Sequence, residues 1–280
     1  MTTPKIAFQG EPGAYGHQAC QEAKPGYDPL PCPTFEDALA AVRSGEAELG
    51  MIAVENSTYG RVADVHQLLP DSGLHIVEEA FVRVRIALMA PKGATLEGLR
   101  RVRSMSILLG QARRFLNEHG LARLNWSDNA AAARTVAEMA DPAEGALASP
   151  MAAEVYGLDI LADGIEDEGS NTTRFYIMSR EPNLSRRGDS GMITSFVFRV
   201  RNIPAALYKA MGGFATNGIN MTKLESYMVG GAFTATQFYA EIEGHPEDRS
   251  VQLAMEELRF FTDYLHIMGV FPAAKPHHPD

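Results

Sequence analysis

Residues 5–23 read KIAFQGEPGAYGHQACQEA. Lys5–Gln9 is an apolar run of strand length, Gly10, Gly13 and Gly16 mark a turn, and a helical pattern follows through Gln18–Ala23. Strand, glycine turn and helix open a βα unit, and the alternation continues outward from it. Thr34, with Asp37 three residues on, predicts an N-cap before Ala38, Leu39 and Val42 at helical spacing. Leu49–Val54 reads as a strand and Arg61–Leu69 as a helix stopped by Pro70. Val82, Val84 and Ile86 alternate with Arg83 and Arg85, the period of a half-buried strand. Strands at 102–106, 121–126, 146–148 and 173–178 then alternate with helices at 108–119, 130–139 (capped by Asp128) and 151–156. This order predicts an α/β fold with mostly parallel sheets covered by helices.

The polar stretch Glu181–Gly191, EPNLSRRGDSG, reads as a linker. Beyond it come a strand at 193–200, a helix at 205–216, strands at 219–227 and 233–242 separated by Gly230-Gly231, a helix at 246–260 and a strand at 264–271. That is β-α-β-β-α-β, which suggests a ferredoxin-like sandwich. Residues 273–280 read as a disordered tail.

The 280 residues, 45% hydrophobic and 21% charged, are enough for two globular domains. A net charge of −10 argues against nucleic acid, whose binding rests on neutralising phosphates. No apolar stretch approaches the ~20 residues of a membrane helix, and Met1–Phe8 runs directly into a strand with no secretory apolar region, so a cytoplasmic location is expected. Cys20 and Cys32 lack metal or redox spacing and are expected as free thiols.

No Walker A loop, H-E-x-x-H, G-x-S-x-G or intact G-x-G-x-x-G is present, and the scattered histidines predict no metal. The 10–16 glycine turn is either an anion site at a helix N-terminus or a tight turn that needs glycine. Two segments are more telling. Glu55-Asn56-Ser57 follows an apolar strand, where open α/β sheets bind ligands, although Asn56 or Ser57 as a helix cap is the alternative. Asn171-Thr172-Thr173-Arg174-Phe175 sets two hydroxyls beside a guanidinium, either a carboxylate clamp or an edge strand with an exposed Arg. Arg83 and Arg85 either attract an anion or form a solvated face, and Gln111 is unremarkable alone.

Taken together, these segments resemble the prephenate dehydratase family over nearly the whole chain. FQGEPGAY at 8–15 is similar to that family's first strand and turn; Ile52-Ala53-Val54-Glu55-Asn56-Ser57 with Gly60 resembles P-I-E-N-S-x-x-G, with Ala53 at the usual proline; 171–175 resembles N-x-T-R-F. Residues 219–226, INMTKLES, resemble I-N-L-T-K-I-E-S of an ACT regulatory domain. SMSILLGQA at 104–112 lacks the family's His and Pro but keeps Gln111; Ala205 replaces a glycine, and Tyr227-Met228 replace Arg-Pro.

The resemblance implies a two-lobed, periplasmic-binding-protein-like catalytic domain over 1–180, with lobe one at 1–80 and 160–180 and lobe two at 81–159. A linker at 181–191 and an ACT domain at 192–272 would follow. It implies decarboxylative dehydration of prephenate to phenylpyruvate, feedback by L-phenylalanine, no cofactor or metal, and a homodimer or homotetramer. Thr173, Arg174, Asn56 and Gln111 would be catalytic; Ser57, Glu55, Thr172 and Phe175 would bind substrate; Asn202, Ala205, Ala206, Leu207, Glu225 and Ser226 would bind the effector. Arogenate as substrate, a non-catalytic amino-acid sensor, and an ACT unit that serves only assembly are the alternatives.

Overall fold

The structure is a computed structural model that describes residues 3–169, 171–187, 191–201, 203–228 and 235–274. The expected Gly230-Gly231 turn, the first residues of the following strand and the tail from Lys275 lie outside the described residues. The chain divides into two compact units: 1–65 with 80–175, and 66–79 with 176–280.

In the first unit, β1 (Lys5–Gln9) leads through the glycine turn into α1 (Tyr15–Ala23), then β2 (Asp28–Cys32), α2 (Phe35–Ser44), β3 (Leu49–Asn56), the short β4 (Gly60–Arg61) and α3 (Ala63–Leu68), which runs into the second unit. β1 pairs in parallel with β2 and with β3, and β4 turns back antiparallel on β3. Thr34 caps α2 by accepting the Asp37 N–H at 3.0 Å, and Gly45 ends it in the left-handed region. β2 carries Pro29 and Pro31 and was not anticipated. It is tolerated because β2 lies at the edge of its sheet, where a missing donor is no loss.

β5 (His75–Arg83) ends where the chain crosses to a second sheet of β6 (Ala87–Ala90), β7 (Arg101–Ser104), β8 (Ala122–Asn125), β9 (Glu144–Ala148) and β10 (Asp159–Asp163), in the order β10-β6-β9-β7-β8. β7 is parallel to β8 and β9, whereas β6 is antiparallel to β9 and β10. β10 was not anticipated, and its pairing with β6 places Asp159–Asp163 in this sheet. The sheet is covered by α4 (Ser106–Gln111), α5 (Arg113–Glu118), α6 (Asn129–Met139, capped by Asp128 at Ala131 N–H, 2.8 Å) and α7 (Pro150–Tyr156). The single helix expected at 108–119 is broken at Ala112. The second lobe's core gathers Ile86, Leu88, Val102, Leu116 and Leu147. Its buried Glu144 is held by Arg101 and Arg103.

β11 (Thr172–Ser179) begins in the first unit and ends in the second. The second unit continues with β12 (Met192–Val200), α8 (Ala206–Thr216), β13 (Met221–Met228), β14 (Ala235–Glu243), α9 (Arg249–Phe261) and β15 (Thr262–Pro272). The strand order β13-β14-β12-β15 with antiparallel pairing is that of a ferredoxin-like βαββαβ sandwich. Phe196, Phe198, Phe214, Val251 and Leu258 fill the space between sheet and helices. β5 adds to it in parallel, Ile76 opposite Gly269. A Cβ on Gly269 would stand 2.2 Å from the Ile76 carbonyl oxygen, so only glycine admits this approach.

A polar cluster lies inside this unit. The Tyr176 hydroxyl meets Tyr239 Oη at 2.7 Å and the Glu241 carboxylate, and Ser195 Oγ donates to Tyr239 Oη at 2.6 Å. All four side chains are buried. The segment expected as a linker is tied down at its start. Arg187 donates to the carbonyls of Asn183 and Val77, each at 2.6 Å, and Arg186 pairs with Asp248. His245 accepts the Glu247 N–H on Nδ1, so Nε2 carries the proton and donates to Leu184 O at 2.7 Å. Ala273 and Ala274 are also held, by N–H bonds to Gly191 O and Glu79 Oε1.

Among the described residues no helix is long and apolar enough to cross a membrane. Both cysteines are free, and burial pushes the Cys20 thiol up to about 12.

Candidate functional site

The C-terminal end of β3 and the start of β11 meet in the first unit. Ser57 and Thr172 lock them together: Ser57 N–H donates to Thr172 O at 2.8 Å, and Thr172 N–H donates to Ser57 Oγ at 2.9 Å. This fixes the distance between Asn56 and Thr173, and the Ser57 hydroxyl oxygen serves as a register pin.

The Asn56 amide can be oriented from its partners alone. Its Oδ1 accepts the N–H groups of Thr58 (3.0 Å) and Tyr59 (3.1 Å), so Nδ2 must be the end that faces β11. There it donates to Asn171 Oδ1 at 2.7 Å and to Thr173 Oγ1 at 3.0 Å. Thr173 Oγ1 is thereby an acceptor, and its own hydrogen remains to donate elsewhere. The side-chain hydrogen bonds of Asn171 are half used: Oδ1 is taken, while buried Nδ2 has no partner among the described residues.

Arg174 is buried, with Nη1 3.4 Å from Glu55 Oε2 and its guanidinium carbon 5.9 Å from the Phe81 ring centroid. Glu55 therefore neutralises Arg174 and holds it in place. Phe175, 2% exposed, belongs to the packing beneath. Gln111 lies at the end of α4 in the second lobe. It is 8% exposed, and its Oε1 has no partner among the described residues. Tyr59 brings that lobe to this end of β3: its hydroxyl donates to Ile107 O at 3.3 Å. Asp167 N–H donates to the Gln111 carbonyl at 2.5 Å, tying α4 to the segment that leads into Asn171.

The glycine turn is a docked turn and its amides are used internally. Gly13 N–H donates to His17 Nδ1 at 3.0 Å and Ala14 N–H to Glu11 O at 3.0 Å. Its carbonyls receive hydroxyls from the second lobe, Ser149 Oγ on Gly13 O at 2.6 Å and Tyr156 Oη on Pro12 O at 2.8 Å. Tyr15 donates to Arg85 O at 2.9 Å, and burial pushes its phenol pKa up. A hollow of about 450 Å³ beside the turn is lined by Gln9–Pro12, Pro31–Pro33, Ser127, Asp128 and Ala131. Burial raises the Asp128 pKa against the pull of its Ala131 N–H bond. Arg83 and Arg85 are the solvated face, paired with Glu166 at 3.7 Å and Asp163 at 2.7 Å.

Of the expected effector residues, Asn202 lies outside the described residues. Ala205 is the N-cap of α8 with φ 58°, a left-handed residue where the family's usual glycine would sit without strain. Ala206 is buried and Leu207 half-buried; Glu225 is half-buried and Ser226 exposed on β13. Among the described residues no group of three or more His, Cys, Asp or Glu side chains is arranged to hold a metal ion.

Asn171 is the site residue that sequence reasoning quoted without giving it a role. Its signal was the asparagine two positions before Thr173, matched to Asn56, but only the fold shows that one amide bridges the two.

The prephenate dehydratase family profile matches residues 6–183. The chain is 49% identical to a bifunctional N-acyl-homoserine lactone acylase/prephenate dehydratase of Komagataeibacter europaeus, over 96% of both chains. It is 36% identical to the chloroplastic arogenate dehydratase/prephenate dehydratase 1 of Arabidopsis thaliana, over 96% of this chain and 72% of that one. The crystal structure of prephenate dehydratase in complex with L-Phe from Arthrobacter aurescens superposes with a TM-score of 0.89 at 28% identity, covering 99% of this chain and 92% of that one.

Proposed function

Because the chain belongs to the prephenate dehydratase family of lyases, we propose that it converts prephenate to phenylpyruvate, carbon dioxide and water. The ring carboxylate leaves as CO₂ and its bonding pair becomes a ring π pair. The C–O pair departs with the ring oxygen as hydroxide, which takes one proton from solvent. Aromatisation supplies the driving force. The protein has to hold the dianion and stabilise the departing oxygen, and a fixed near-attack geometry is worth roughly 7–11 kcal/mol.

The observation that carries this reading is the pair of hydrogen bonds that Asn56 Nδ2 donates to Asn171 Oδ1 and Thr173 Oγ1. It fixes Thr173 Oγ1 as an acceptor of one bond and a donor of another, and the donated bond goes to the leaving hydroxyl. Arg174 clamps a substrate carboxylate with Glu55 as its partner, and Gln111 presents its carbonyl oxygen from the facing lobe. Thr172 and Ser57 hold the register, and Phe175 packs beneath. A sensor would need the arginine but has no use for the Asn56–Thr173 arrangement.

For regulation, L-phenylalanine binds the second unit as an ACT domain, at the start of α8 (Ala205, Ala206, Leu207, with Asn202) and on β13 (Glu225, Ser226). The relative solved with L-Phe supports this. The domain also pairs subunits into a homodimer or homotetramer. The test incubates pure protein with prephenate, and with arogenate in parallel, and follows phenylpyruvate or phenylalanine. Thr173→Val should lower kcat by at least 100-fold with the fold intact. Near-normal turnover would remove Thr173 from the chemistry. Equilibrium dialysis showing no phenylalanine uptake at millimolar concentration would reject the effector reading.

A further inference from the structure

We propose that Asn171 is a catalytic residue: its side-chain amide donates the second hydrogen bond to the leaving oxygen, beside Thr173. This rests on the dehydratase reading above. Asn171 is 2% exposed, and its Oδ1 and backbone oxygen are both engaged, by Asn56 Nδ2 at 2.7 Å and Val84 N–H at 2.9 Å. Its Nδ2 is buried and has no partner among the described residues. A buried donor without a partner costs free energy that a folded chain ordinarily avoids. An amide turned the other way would not help, because Asn56 presents a donor, fixed by Thr58 and Tyr59, that demands Oδ1. The same Asn56 nitrogen contacts Thr173 Oγ1, so the Asn171 amide and the Thr173 hydroxyl are held on one nitrogen.

Two donors at this place resolve a chemical difficulty. A threonine hydroxyl is too weak an acid to protonate a leaving group outright, but a pair of preorganised donors stabilises hydroxide as it forms. The C–O bond breaks with its electron pair on oxygen, both donors keep their hydrogens, and the hydroxide takes its proton from solvent on release.

The test is Asn171→Asp, with Asn171→Ala beside it, assayed from pH 5 to 8.5 against prephenate. The carboxylate retains the acceptor that Asn56 needs and exchanges the donor for a negative charge that the departing hydroxide meets. At pH 8 kcat should fall by at least 100-fold, with a melting temperature close to wild type. Below the carboxyl's pKa the introduced O–H restores a donor, so kcat should recover at least tenfold relative to the wild-type profile. The alanine variant should show no such recovery. Turnover within threefold of wild type, or a loss that runs parallel to wild type at every pH, overturns the proposal. A wild-type protein inactive on both prephenate and arogenate sinks the dehydratase reading itself, and this one with it.

Discussion

Substitution of Gly13 by alanine tests whether the glycine turn is a docking surface between the two lobes. Gly13 has φ 89°, and a Cβ there would lie 2.8 Å from the Ala152 Cα and 3.1 Å from its Cβ. The first of these is backbone at the start of α7 and cannot rotate away. Holding an L-residue in a sparsely populated conformation costs roughly 1–3 kcal/mol, and overpacking adds about 1–3 kcal/mol. The same displacement lengthens the Ser149–Gly13 and Tyr156–Pro12 bonds, now 2.6 and 2.8 Å. A loss of about 2–6 kcal/mol corresponds to a fall of roughly 4–24 °C in melting temperature for a unit of this size. Two controls separate the contributions. Gly93 has φ 81° with nothing within 4 Å of its Cβ, so Gly93→Ala reports strain alone. Gly26 has nothing within 4 Å of its Cβ and no left-handed φ, so Gly26→Ala should be silent. Calorimetry should rank the three with Gly13 the most damaged. If Gly13→Ala is no more destabilising than Gly93→Ala, the turn is not wedged against α7.

Two further outcomes follow from local geometry. Ala205→Gly should raise stability by about 0.5–1 kcal/mol, because relief of the left-handed strain outweighs the greater entropy glycine loses on folding; a drop in calorimetric stability would show that φ 58° carries no strain. Asp248 has its pKa lowered by the His245 N–H and by Arg186, so its contribution is present above the ordinary carboxylate range and disappears as pH falls through its folded pKa. The gap in melting temperature between wild type and Asp248→Asn should therefore narrow as pH falls below the ordinary carboxylate range, and a gap constant with pH would dissociate it from ionisation.

The sequence carried much of this fold because its signals are local. Thr34 and Asp128 announced their caps, and the strand lengths after residue 192 forced one order of elements. Pro29 and Pro31 hid β2, since proline argues against a strand unless the edge position is known. Gly110 alone, a weak helix former two residues before Ala112, hints at the break in the helix. The site was half legible: motifs named Asn56, Thr173, Arg174 and Gln111, but the direction of the Asn56 amide depends on Thr58, Tyr59 and Asn171, residues brought together over more than a hundred positions of chain. For the same reason the bond from Thr172 N–H to the Ser57 hydroxyl oxygen could not be read from the motifs.

The exchange of chain between the units has a practical meaning for anyone who wishes to recombine them. A fragment begun at residue 192 would look from sequence like a self-sufficient module, yet it would lack His66, whose ring centroid lies 5.5 Å from that of Tyr239, Ile76 opposite Gly269, and Tyr176 beside Glu241. Its inner face would open to water the Glu241 carboxylate and the Tyr239 ring that the intact protein keeps buried. Domain grafts between homologues should therefore carry His66–Glu79 and the end of β11 along with the C-terminal half, because inheritance here follows the interior and not the order of the gene.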